Sequence, residues 1–125
     1  MQKYDPKNAP DPEAWDELDE AERFALVERF HRDAGIQLPN LRLHSAIHAA
    51  VETQATDYDL PVKETLDRLM SEGLSRHDAV HAVGMVLVEH MDALLTERPE
   101  VPSQEPYYER LRHFTADEWR SMGDA

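Results

Sequence analysis

Between Ala79 and Leu95 the chain has only four polar residues, His81, Glu89, His90 and Asp92. A helix start signal precedes this stretch, Ser75 with Asp78 three residues on, and Pro99 follows it, so it reads as one helix running to about Glu97. A helix so nearly apolar all round has to be covered on several sides. In a chain of 125 residues, long enough for one domain, it is expected to be the central helix of a bundle. Its longest unbroken apolar or small run is seven residues, Ala82 to Val88, far short of a membrane span.

The remaining segments read as helices too, because apolar residues recur at helical spacing and no alternating Val/Ile/Thr run is bounded by turns. Pro12 after Asp11 opens a helix through Trp15 and Leu18, and Asp19 with Glu22 makes a fresh capping box there. Phe24, Val27, Phe30 and His31 form the stripe that follows, and Gly35 ends it. Leu38-Pro39-Asn40 then separates a second helix, about Leu41 to Gln54, whose inner face carries His44, Ile47, His48 and Val51. Pro61 opens a third, with Leu66, Leu69 and Met70, and Gly73 stops it. The fold class is therefore all-α: a small bundle of about four main helices over residues 1–97, with a short helical extension over 98–125. That extension begins as a linker with prolines 99, 102 and 106, and continues with Tyr107, Leu111 and Phe114, then a Thr115 and Glu118 capping box before Trp119 and Met122. Docking on the bundle to finish its core is the expected role. The alternative is that its aromatic side chains engage a protein partner or a second subunit in a homo-oligomer.

Charge narrows the partners. The 13 basic and 26 acidic residues leave −13 with the seven histidines neutral. The excess is spread out: residues 1–33 carry five basic and ten acidic groups, 34–96 four and nine, and 97–125 four and seven. With no basic patch anywhere, nucleic acid and anionic membrane surfaces are excluded as natural partners, whereas cations are favoured. Cysteine is absent, which removes disulfides, thiol nucleophiles and thiolate metal sites together. Met1 to Pro6 contains no apolar stretch of signal-peptide type, so a soluble, cytoplasmic protein is expected.

Soft-metal chemistry in such a chain must run on histidine, and four of the seven histidines form two pairs of identical spacing, His44-x-x-x-His48 and His77-x-x-x-His81. Four residues turn a helix by about 400° and advance it about 6 Å, so each pair projects from one face, one turn apart. Two imidazoles so placed can share one transition-metal ion. Glu52 extends the first pair by a further turn, and Gly84 follows the second on the same face, leaving room for a ligand, a water or a close helix contact. If the second and fourth helices are parallel neighbours, the four imidazoles lie at one level with Glu52 a turn deeper, as a ligand or as an acceptor orienting a ligand histidine. If they are antiparallel, Glu52 meets His81 and the set becomes His48, Glu52, His77 and His81. The candidate metal ligands are thus His44, His48, Glu52, His77 and His81, with His48 and His81 common to both arrangements. His31, His90 and His113 have no partner at ligand spacing and read as surface or satisfied core residues, with His90 beside Glu89 a candidate for an outer position. Imidazole with carboxylate and no thiolate suits zinc, iron, nickel or copper, of which zinc or iron is expected, and disfavours magnesium and calcium.

The segments Leu43 to Gln54, with His-x-x-x-His-x-x-x-Glu-x-Gln, and Gly73 to Gly84, with Arg-His-Asp-Ala-x-His-x-x-Gly, together with Asp11-Pro12 and Trp15, resemble a small bacterial family of helical proteins of unknown function. The resemblance spans about residues 4–95, and Thr53 stands where that family's pattern implies asparagine. It implies a shared site without assigning it an activity.

Two functions of different class follow. The first is a small metal-binding protein whose His/Glu site keeps an open position for hydrolysis or for oxygen and redox chemistry, with a closed four-ligand structural site as a variant. The second is a non-enzymatic interaction module whose histidines are satisfied in the core. No serine elbow, phosphate loop or nucleotide fingerprint supports a third.

Overall fold

The computed structural model describes residues 1–123. Among them are seven helices and no strand: α1 (Pro12–Glu17), α2 (Glu20–Asp33), α3 (Leu41–Ala55), α4 (Val62–Ser71), α5 (Arg76–Glu97), α6 (Glu105–His113) and α7 (Ala116–Gly123).

The boundaries follow from local chemistry. Asp11 accepts a hydrogen bond from the Ala14 amide and Pro12 occupies the first turn, so α1 starts there. Leu18 is extended, and the Asp19 and Glu22 side chains bond reciprocally to each other's backbone N–H, which divides α1 from α2. Gly35 closes α2 at φ 71° and Gly73 closes α4 at φ 107°, both in the left-handed region that only glycine enters without strain. Asn40 and Ser75 cap α3 and α5 through the Leu43 and Asp78 amides. At the far end of α5 the same left-handed cap is made by Arg98, at φ 47°.

α5 is the central helix. By length and composition alone it could cross a membrane, but Val80, Val83, Val86 and Leu87 are buried in the main core against α3, α4 and α6. Tyr107, Leu111, Phe114 and Ala116 belong to that same core, so the segment after Pro99 docks on the bundle and completes it. Its docking is fixed by polar contacts as well. The Arg68 guanidinium donates to the Leu111 carbonyl, and Glu72 accepts from the Ala116 amide that opens α7. A second, smaller apolar cluster joins Tyr4, Trp15 and Val27 to Ala49 of α3, so the proline-punctuated N-terminus is tied down through Tyr4. Five of the seven histidines, His31, His44, His48, His77 and His81, sit where α2, α3 and α5 meet.

Candidate metal centre

Three pairs of side chains meet between α3 and α5: His44 lies against His81, His48 against His77, and Glu52 against Arg76. Glu52 does not meet His81; Arg76, the first residue of α5, takes its carboxylate. Gly84 serves a close helix contact, since a Cβ there would stand 3.1 Å from the Ile47 methyl.

His31, His44, His48 and His81 bring one ring nitrogen each to within 4.8 Å of all the others, an arrangement that could hold a metal ion. Three of these residues were expected from the sequence. The fourth, His31, comes from α2 and is fully buried at 0% exposure. Its position on the stripe with Phe24, Val27 and Phe30 was the signal that it faces inward; its lack of a partner at i ± 4 hid its role. His77 packs beside the four, with ring centroids 4.3 Å from His81 and 5.4 Å from His48, and its Nε2 is buried without a hydrogen-bond partner. His90 is buried against Tyr107, and His113 is exposed beside Glu109; neither joins the group.

Protons hold the cluster together poorly. His31 Nδ1 lies 2.8 Å from the Val27 carbonyl and must donate to it, so His31 Nε2 is a bare lone pair. His44 Nε2 lies 3.1 Å from His31 Nε2 and 3.1 Å from His81 Nε2. One proton on His44 can point at one of these nitrogens or be shared weakly between the two, so three converging ring nitrogens have at most a divided proton to hold them. A cation among them would turn every contact into a favourable one. Nitrogens about 2.0–2.1 Å from one tetrahedral zinc stand about 3.3 Å apart, close to the two shortest separations, from His44 to His31 and to His81, with all four nitrogens within 4.8 Å.

His48 is oriented by a relay that reaches the buried carboxylate. Arg76 grips Glu52 with both terminal nitrogens, at 2.7 and 2.8 Å, and Tyr4 donates its hydroxyl proton to the same carboxylate. The Tyr4 oxygen must then accept from His48 Nε2–H, at 2.7 Å. That leaves His48 Nδ1 as a lone pair, buried and without a partner. Glu52 thus has both oxygens occupied by hydrogen bonds and reaches the His48 ring through Tyr4. Sequence reading had no means of finding Tyr4, an isolated tyrosine in a proline-rich lead, and passed over Arg76, which stands next to the His77 pair. Burial is the first cause that raises the Tyr4 hydroxyl above its ordinary range, and the Glu52 charge is the second.

Burial, reinforced by the neighbouring imidazoles, lowers His44 to about 4 and His81 to about 3. The same causes push His48 down further, and His77 is lowered chiefly by burial. These rings are neutral at pH 7, the form in which imidazole binds a metal. They also make the metal-free fold acid-sensitive. An unfolded histidine takes up its proton near pH 6.5, whereas His44 and His81 resist until about 4 and about 3. The unfolded chain therefore binds more protons over that interval, and stability falls as pH falls through it. Calorimetry of the metal-free protein is expected to show Tm dropping by roughly 10 °C or more between pH 7 and pH 4. A His44→Ala variant should flatten that slope; a Tm independent of pH across the range would contradict the neutral cluster.

A cleft of about 500 Å3 opens beside the histidines, with His44, His48 and His81 in its lining and His31 behind them. Compared with protein-family models, with curated proteins and with solved structures, the chain finds no match in any of the three.

Proposed function

We infer that this is a small metalloprotein that binds one divalent transition-metal ion, zinc or iron, through His31, His44, His48 and His81. The observation that carries this reading is the convergence of four ring nitrogens within 4.8 Å of one another, with His48 Nδ1 buried and without a partner and His44 Nε2 held against two other imidazole nitrogens. A ligand set of neutral imidazoles without thiolate suits zinc or iron and is unsuited to magnesium or calcium. Glu52 and Arg76 take an anchoring part, holding Tyr4 and through it the ring of His48. Because the cleft reaches three of the four imidazoles, a small ligand could approach the metal from that side as a fifth ligand, the access that hydrolytic or oxygen chemistry at a metal requires.

Elemental analysis of protein made without a histidine tag tests this. One equivalent of zinc or iron per chain is expected, removable by chelator and restored on adding metal. Protein that is folded, metal-free and unable to take up either ion would overturn the reading. The relay gives a second test: Tyr4→Phe removes the oxygen that accepts from His48 and should weaken metal binding about 10- to 100-fold at unchanged stoichiometry. Competition with a chromophoric chelator measures it, and an unchanged affinity would remove Tyr4 from the site.

A further inference from the structure

The cleft beside the histidines is of small-molecule size, and its lining is lopsided. Leu43, Ile47, Met85, Val88, Trp119 and Met122 form its walls, and among the described residues no Asp, Glu, Lys or Arg lines it. Its polar side chains are the three imidazoles and Asn40, whose amide oxygen is already used to cap α3. Leu43 and Val88 remain 52% and 43% exposed, large apolar groups that a ligand would take out of water.

Charge is unbalanced in the same place. Imidazole ligands bring no charge to set against a divalent ion, and the carboxylate buried beside them among the described residues, Glu52, is paired with Arg76. A bound metal would keep both its charges, in a site otherwise walled by hydrocarbon. An anionic ligand head is what such an ion lacks.

We propose that the cleft binds a monoanionic amphiphile, a medium-chain monocarboxylate, with its carboxylate on the metal held by the histidines and its hydrocarbon chain against Leu43, Ile47, Met85 and Val88. The proposal rests on the reading of the histidines as a metal site. The head meets the uncompensated charge, and the tail covers the exposed apolar walls. Acetate satisfies only the first requirement and an uncharged hydrocarbon only the second. Each methylene buried strengthens binding about fourfold, so chain length should govern affinity strongly.

Cobalt(II) loaded in place of the native ion gives a visible spectrum that reports on its ligands independently of any activity. Titration with sodium octanoate should change that spectrum at a concentration at least ~30-fold lower than sodium acetate does. Val88→Asp and Leu43→Asp place a carboxylate on the exposed wall without touching the histidines, and either should bring octanoate back to the level of acetate. Equal titration by acetate and octanoate, or no spectral change with either on cobalt-loaded protein, would overturn the cleft proposal and leave the metal site standing. A concentration-dependent dimer that excludes octanoate would also overturn it. Failure to bind cobalt at all would remove the metal site and this proposal with it.

Discussion

Arg76→Met should destabilise the protein by about 3–5 kcal/mol, because it leaves a carboxylate with no cation in a place water does not reach. The Glu52 side chain is 0% exposed and that of Arg76 only 9%, so solvent screens the pair little. The guanidinium also donates to the Pro6 carbonyl at 2.9 Å, so its loss loosens the N-terminal segment that carries Tyr4. For a chain of this size the expected fall in Tm is about 12–20 °C. Adding Glu52→Gln to Arg76→Met should recover part of it, since a neutral amide needs hydrogen bonds but no counter-charge. Thermal unfolding of both variants provides the measurement. If Arg76→Met melts within a few degrees of the parent protein, Glu52 is not held as a buried ion and the relay through Tyr4 has no anchor.

Loss of one ligand imidazole should have the largest effect on metal binding. Structural zinc sites bind with roughly 10–16 kcal/mol, about 2.5–4 kcal/mol for each of four ligands, so His81→Ala is expected to weaken affinity about 10²- to 10³-fold. His31→Ala should do the same, which separates the site seen in the fold from one assembled from helical spacing alone. Glu52→Gln should keep one equivalent of metal with a loss of at most about 100-fold, as a group acting through Tyr4 and not by coordination. His113→Ala, on an exposed ring paired only with Glu109, is the control and should change nothing. Equilibrium competition with a chelator at pH 7 ranks the four variants. A His31→Ala protein that binds metal as tightly as the parent would exclude α2 from the site.

Helix boundaries were legible in the chain because they are set by neighbours in sequence. Asp19 with Glu22, Asn40 with Leu43, Ser75 with Asp78, and the glycines at 35 and 73 each act within a few residues. The central place of α5 was legible for the same reason, since its scarcity of polar residues leaves no face for water. The histidine pairs were legible as faces of two helices. Their partners were not, because register between α3 and α5 depends on packing in space.

The rest of the Glu52-x-Gln54 segment shows the difference. Glu52 reads as a ligand one turn beyond His48, yet in the fold it serves Arg76 and Tyr4. Gln54 accepts from the Tyr107 hydroxyl at 2.6 Å, and Thr53, between them, accepts from the Trp15 indole at 3.0 Å. One short motif therefore fastens three distant parts of the chain, residues 4, 15 and 107, to α3. None of these partners lies at a spacing that sequence periodicity reports.

The amino-acid sequence by itself determined that the chain is helical, where its helices start and stop, which helix is central, and that imidazoles are the groups available to a metal. These follow from local hydrogen bonding and from the separation of apolar from polar residues. Only the tertiary structure decided that His31 joins the group, that Glu52 is tied to Arg76, and that an apolar cleft opens beside the imidazoles. Those depend on the meeting of α2, α3 and α5, elements far apart in sequence, where burial removes water and each ring nitrogen must find its partner within the fold.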